Sequence, residues 1–182
     1  MRNPRFFLSC LSAVLLAVIY PKLGWAPLAW IALIPLYMLL IRCETPRQAS
    51  KWAFISGVLF FLLSMHWLVH VSLFGLCVVA FFLASFWLFL GWMNGYLMRS
   101  KSIGARTFSF AAIWMLIEIC RAEIPVVGLG WNLLAYSQSP VESVLQFANL
   151  AGVYGLGFMM AWFNALLAEA LLGYLEIGRA HV

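Results

Sequence analysis

Aspartate is absent from this 182-residue chain, and its six acidic side chains are all glutamate. Charged residues make up 9% of the sequence against 65% hydrophobic. A soluble domain carries about 25% charged residues on its surface, so an ordinary water-soluble fold is excluded. The four cysteines (Cys10, Cys43, Cys77 and Cys120) form no C-x-x-C pair and no cluster with histidine. That spacing argues against a disulfide framework and against a structural zinc site. Internal repeats and low-complexity linkers are also missing, and no stretch after residue 50 is polar enough to form a separate soluble domain. Neither a cofactor nor a metal is expected.

What the chain has is six long apolar stretches, at about 6–20, 25–41, 52–71, 76–98, 103–120 and 148–175. Most approach or exceed the roughly 20 residues that cross a hydrocarbon core of ~30 Å. In lipid every backbone polar group needs a partner within the protein, which leaves helices or closed barrels. Barrel strands alternate polar and apolar residues, and these runs do not. The expectation is an all-α, polytopic membrane protein with six transmembrane helices.

The basic residues set the orientation. Arg2 and Arg5 at the N-terminus, Arg42, Arg47 and Lys51 in the second loop, and Arg99, Lys101 and Arg106 around the fourth comprise eight of the eleven Lys and Arg. By the positive-inside rule, the N-terminus and these loops face the cytoplasm. The net charge of +5 does not indicate nucleic acid, because the cations are dispersed over loops rather than gathered on one face. A cleaved signal peptide is the rival for residues 1–20. It is disfavoured because the apolar run lies mostly after Cys10 and no small-x-small site precedes Pro21.

Pro35 lies inside the second span and is expected to kink it. Trp25, Trp30, Trp52, Trp67 and Trp131 fall near span ends, where indole rings anchor at headgroup level. The longest non-helical piece, Glu123–Val141, is too apolar for a solvated loop and too rich in Gly and Pro for a helix. It is expected to lie in the interface or to re-enter the outer leaflet, where irregular backbone must be buried in protein or line a cavity.

Several motifs have a familiar order. They are Trp114-x-x-x-Glu118-x-x-Arg121, the run Gly128-Leu-Gly-Trp131-Asn132-Leu-Leu-Ala-Tyr136-Ser-Gln138, Gly152-Val-Tyr-Gly155 and Asn164-Ala-Leu-Leu167. With Pro21-Lys-Leu-Gly-Trp25-Ala-Pro-Leu-Ala-Trp30, Leu33-Ile-Pro35-Leu36, and Gly57 followed by Trp67, they resemble the apolipoprotein N-acyltransferases over nearly the whole chain. The chain departs from that pattern at Leu129-Gly130, where the family commonly has Phe-Pro, and at Ala135, where glycine is usual.

The resemblance implies a bacterial inner-membrane enzyme of lipoprotein maturation. Such an enzyme moves an acyl chain from a phospholipid donor to a cysteine thiol, and then to the N-terminal amine of a diacylated lipoprotein. It also implies that the Glu, Lys and Cys of that chemistry belong to a nitrilase-like domain beyond the sixth span. No catalytic position can be carried onto this chain, which is expected to be inactive alone. Cys120 is a poor substitute, because Glu118 and Glu123 oppose the help Arg121 would give a thiolate and no lysine is close. The tail Ile177-Gly-Arg-Ala-His-Val182 can be encoded by the start of a common short-read sequencing adapter. The membrane domain is therefore expected to occupy residues 1–176, with 177–182 as adapter read-through.

Four residues of the irregular segment are the candidate lipid or substrate contacts. Trp131 and Tyr136 would bracket acyl chains, and Asn132 and Gln138 would donate to a phosphate or glycerol ester. Two polar pairs are expected within the spans: Glu118 with Arg121, three apart on one helix face, and Asn94 with Glu169, at similar depth from the cytoplasmic side. His66 and His70 stand at i, i+4, but no third ligand is in view, so they read as interfacial histidines. The alternative from another class is a small transporter or substrate-binding membrane module without catalysis. A catalytic domain encoded separately and joined in trans also fits the sequence.

Overall fold

Apolar runs without strand periodicity wind into helices, and the computed structural model is helical wherever it is regular. It describes residues 4–20, 25–100, 102–125 and 128–180, the last five by backbone alone. The elements are α1 (Pro4–Val18), a 3-10 turn (Ala26–Trp30), α2 (Ile34–Ile41), α3 (Pro46–Ser64), a 3-10 turn (His66–His70), α4 (Leu73–Leu97), α5 (Ile103–Glu123), a 3-10 turn (Leu134–Gln138) and α6 (Glu142–Ala180). No strand occurs among the described residues. Three helices are long and apolar enough to cross a membrane, at Leu73–Leu97, Ile103–Glu123 and Glu142–Leu175. Residues 4–18 and 26–41 form shorter apolar helices, and α3 opens on a polar turn containing Arg47 and Lys51.

Hydroxyl side chains start three of the helices. Thr45, Ser72 and Ser102 accept hydrogen bonds from the backbone N–H of Gln48, Gly75 and Ala105 at 3.2, 3.0 and 3.3 Å. Between α3 and α4 the backbones nearly touch. A Cβ on Gly91 would lie 2.5 Å from the Ala49 carbonyl oxygen, and one on Gly95 2.5 Å from the Pro46 Cα. Small residues four apart allow this approach in an apolar setting, where close packing replaces the hydrophobic effect as the force between helices. Large rings fill the centre. Trp87 meets Trp114 with centroids 5.3 Å apart, and Tyr37 meets Phe110 at 5.2 Å. Phe81, Phe82, Leu88, Phe89 and Trp92 of α4 are exposed, a surface suited to hydrocarbon rather than water.

Two ends of the bundle differ. At the basic end Arg5 pairs with Glu44 and Arg99 donates to the Glu44 carbonyl, which brings the N-terminus and both cation-rich loops together. At the loop end Tyr20 bonds to Asn132 and Glu123 to Tyr154. The alternation of charged loops along the sequence is therefore a division of space.

Three spans depart from the expectation. The third, expected at 52–71, is helical over Pro46–Ser64 and passes at its far end into the 3-10 turn His66–His70. The second is not one kinked helix: it breaks at residues 31–33, and Pro35 sits in the first turn of α2, where its missing N–H costs nothing. The sixth is longer than expected and contains a break at Gly152, with φ 68° and ψ 177°. Only glycine adopts that conformation without strain. The segments 21–24 and 126–127, residue 101, the first three residues, residues 181–182 and the side chains of residues 176–180 lie outside the described residues, and with them most of the expected 177–182 tail.

Candidate functional site

The irregular segment after α5 turns back into the bundle, and two ionisable side chains of α5 hold it there. Gly128 lies so close to the end of α5 that a Cβ would sit 2.5 Å from the Ala122 carbonyl oxygen. Leu129 N–H donates to Arg121 O at 2.8 Å. The Arg121 guanidinium then donates to the carbonyls of Leu129 and Asn132, both at 3.2 Å, and to that of Trp131. Its carbon lies 5.5 Å from the Phe61 ring centroid, a cation–π contact that stabilises a charge shielded from water. Glu118, one turn back, accepts from the N–H of Leu134 at 2.7 Å. Gly157 of α6 makes room for this carboxylate, since a Cβ there would be 2.9 Å from its Oε2.

Glu118 and Arg121 are thus both buried, but they form no direct ion pair; the only ion pairs among the described residues are Arg5–Glu44 and Arg106–Glu169. The expected pair is corrected to a pair of loop clamps. The physical reason is the loop itself. Non-helical backbone drawn into an apolar interior leaves N–H and C=O groups without partners, and the nearest charged side chains bond to them. Tyr20 adds a further bond, its hydroxyl donating to Asn132 O at 2.8 Å.

The four candidate contacts separate into two kinds. Trp131 and Tyr136 are about half exposed, and Trp131 meets Trp67 of the 66–70 turn with centroids 5.6 Å apart. Asn132 holds a positive φ of 54°, and its Nδ2 is buried with no hydrogen-bond partner among the described residues. Gln138 is already engaged. Its Nε2 donates to Ala26 O at 2.9 Å and to Ser137 Oγ at 3.0 Å, and its Oε1 accepts from Trp30 Nε1 at 3.3 Å. The expectation that Gln138 offers a donor to a ligand is corrected, because the 3-10 turn at Ala26–Trp30 needs that amide for its own backbone.

Asn164 plays the matching part on α6. Its Oδ1 accepts from Leu33 N–H at 2.9 Å, and its Nδ2 donates to Ala29 O at 3.0 Å and to Met160 O at 2.8 Å. One amide thereby satisfies both sides of the break in the second span. Sequence reasoning passed over this role, although a polar residue inside an apolar stretch was the available signal.

Asn94 does not reach Glu169. Its Nδ2 donates to Leu90 O of its own helix at 2.9 Å, and its Oδ1 has no partner among the described residues. Glu169 is held instead by Arg106, bidentately at 2.9 and 2.8 Å, and by the Tyr37 hydroxyl. Arg106 belongs to the first turn of α5 rather than to the loop before it, so its fork is aimed at α6. His66 and His70 lie exposed on a 3-10 turn, which puts i and i+4 about 120° apart around the axis and on different faces. Cys120 is a half-buried free thiol.

Helices long and apolar enough to cross a membrane, a broken apolar stretch at 26–41 and a loop clamped by buried charges together suggest a membrane domain of a specific kind. Over residues 12–166 it matches the family described as apolipoprotein N-acyltransferase N-terminal domain. The chain belongs to that family. Among curated relatives, it is 31% identical over 179 residues to the apolipoprotein N-acyltransferase of Geobacter metallireducens, covering 93% of this chain and 34% of the relative. To that of Chlorobaculum tepidum it is 27% identical over 164 residues, covering 88% of this chain and 31% of the relative. For Nitrosomonas europaea the identity is 31% over 154 residues, with 78% and 30% covered. The chain spans about a third of the length of these relatives.

Proposed function

We propose that residues 1–176 form the membrane part of an apolipoprotein N-acyltransferase, crossing the bacterial inner membrane six times with the N-terminus in the cytoplasm. In this reading the loop end faces outward. It supports a nitrilase-like domain and admits two lipid substrates from the side, a phospholipid acyl donor and a diacylated lipoprotein acceptor. The covalent chemistry belongs to that domain, and the chain alone is inactive. Its own contribution is to place acyl chains and headgroups.

The observation that carries this proposal is the clamped loop. Glu118, Arg121 and Tyr20 fix its backbone, and Trp131 and Tyr136 stand half exposed above them. Aromatic faces at that position suit acyl chains at the interface. The buried Nδ2 of Asn132, without a hydrogen-bond partner among the described residues, is a spare donor just beneath that aromatic surface. The transporter alternative draws support from the broken second span, since broken helices mark transport sites. However, three backbone groups of that break, Leu33 N–H and the carbonyls of Ala29 and Ala26, are already bonded to Asn164 and Gln138 rather than offered to a substrate.

The test joins this chain to the C-terminal part of the Geobacter metallireducens relative, in cells depleted of their own enzyme. Mass spectrometry of a reporter lipoprotein should show the third acyl chain. Replacing Trp131 and Tyr136 together by alanine should lower acylation roughly tenfold, the scale of losing one or two aromatic contacts, with the protein still folded. Full acylation in that double variant removes the loop from the mechanism.

A further inference from the structure

We propose that residues 142–151, the part of α6 before its break, form an amphipathic helix lying along the outer bilayer surface, with the boundary between lipid headgroups and acyl chains as its partner. The inference rests on the membrane reading given above, but not on acyl transfer.

The apolar part of α6, Glu142–Leu175, has 34 residues. At 1.5 Å per residue a single rod of that length would reach about 51 Å, against ~30 Å of hydrocarbon and ~40–45 Å with headgroups included. The break at Gly152, with φ 68° and ψ 177°, divides it. Residues 153–175 cover about 34 Å, enough for one crossing. Side-chain contacts place that crossing. Glu123, the last residue of α5, accepts a hydrogen bond from Tyr154, just past the break. Arg106, in the first turn of α5, holds Glu169. The stretch from Tyr154 to Glu169 therefore runs beside α5 from one end to the other, and the crossing is complete without residues 142–151.

The surface of that segment is divided. Glu142, Gln146 and Asn149 are exposed and stand at i, i+4 and i+7, which makes one polar stripe. Val144 and Ala148, on the opposite side, pack against the core. Leu145, Phe147 and Leu150 flank the stripe and are exposed, Leu150 by 87%. Hydrocarbon would reject the stripe, and water gains nothing from three large apolar side chains. A helix in the plane of the interface satisfies both. Glu142 is the one charge on it, so attraction to anionic lipids contributes nothing and the apolar side chains carry the binding. The segment is also joined to the clamped loop: Val141 N–H donates to Gln138 O at 2.9 Å, and Leu145 N–H to Val141 O at 3.1 Å. The depth at which this helix rests in the interface thus sets the depth at which Tyr136 meets lipid.

The experiment uses the whole 182-residue chain in phosphatidylcholine nanodiscs, with its four native cysteines changed to alanine and one new cysteine carrying the fluorophore NBD. The probe lipids are phosphatidylcholines bearing a nitroxide near the carbonyl end or near the methyl end of one acyl chain. F147C should be quenched about twofold more by the carbonyl-end label, as burial of ~5–10 Å into the headgroup and acyl boundary implies. N149C, on the polar stripe, should be quenched by aqueous iodide instead. S85C, exposed at the middle of α4, should show the reverse lipid preference. If F147C matches S85C, residues 142–151 continue the crossing, and the proposal is overturned while the membrane reading stands. If F147C and N149C are equally open to iodide with S85C still deep, the segment stands in water, free for a protein partner, and the proposal is again overturned. Iodide reaching S85C removes the membrane reading itself, and the proposal with it.

Discussion

Charged side chains packed into the two ends of this bundle do different work. At the basic end Arg106 of α5 and Glu169 of α6 bond to each other through two parallel contacts, with Tyr37 of α2 as a third member. Helix is tied to helix, and Arg106 also donates to the Ser100 carbonyl in the short turn before α5, at 2.9 Å. At the loop end Glu118 and Arg121 bond to backbone: the N–H of Leu134 and the carbonyls of Leu129, Trp131 and Asn132. There, charge stabilises irregular chain that hydrocarbon would otherwise reject. Ionisable residues can therefore serve mainly as rivets, as the partly buried Arg106 and Glu169 do, or as scaffolding, as the buried Glu118 and Arg121 do, and their partners distinguish the two.

The sharpest way to separate the roles is R121A. It leaves the Leu129 and Trp131 carbonyls without a donor, the Asn132 carbonyl with Tyr20 alone, and Glu118 without a nearby cation, which should cost about 3–5 kcal/mol, as for other broken buried charge networks. The damage should be local first. Limited proteolysis in detergent should cut within residues 128–141 before any helix is lost. If that segment stays protected, Arg121 is not its anchor.

E169Q probes the other end. The amide keeps one acceptor for Arg106 and Tyr37 but loses the charge, and a cost of about 1–2 kcal/mol is expected. Tryptophan fluorescence should show a lower melting temperature, and cleavage in 128–141 should be unchanged. Equal loop cleavage in E169Q and R121A would abolish the distinction between the ends.

The smallest effect concerns Cys43, in the loop after α2. Burial pushes its thiol up to about 11, against the opposing pull of Arg5. The group stays protonated and neutral below that value, so only about one thiol in a thousand is thiolate at pH 8. Alkylation by iodoacetamide should be slow at pH 8 and rise about tenfold per pH unit towards 11. Rapid labelling at pH 8 would mean that the positive charge of the basic end outweighs burial even where the side chain is half covered.

The helices were legible in the sequence where a single local property decided them. The fourth and fifth spans were expected at 76–98 and 103–120 and occur at Leu73–Leu97 and Ile103–Glu123, because continuous apolar runs specify helices without distant help. The second span was misread because its break depends on Asn164 and Gln138, more than a hundred residues away. Pro35 was visible, but whether it kinks a helix or begins one depends on partners that no local window contains. Gly152 passed unnoticed for a related reason: glycine is common in membrane helices, and only the backbone angle separates a packing residue from a break.

Site residues followed the same rule. Spacing put Glu118 and Arg121 on one face, and they are there, but three residues of separation did not reveal that loop backbone would compete for both. Asn94 and Glu169 were matched by depth alone, whereas the first turn of α5 supplies a cation that outcompetes any amide. Gln138 read as a free donor because its acceptor, Ala26 O, becomes available only when the 3-10 turn forms.

The amide of Asn164 also bears on how the protein is made. Leu33 N–H and Ala29 C=O find their partner 131 and 135 positions downstream. While a ribosome is still producing the intervening chain, the second span is an unfinished object in the bilayer. Water or the insertion machinery must serve those peptide groups until α6 arrives. Biogenesis of this domain is complete only with its last helix.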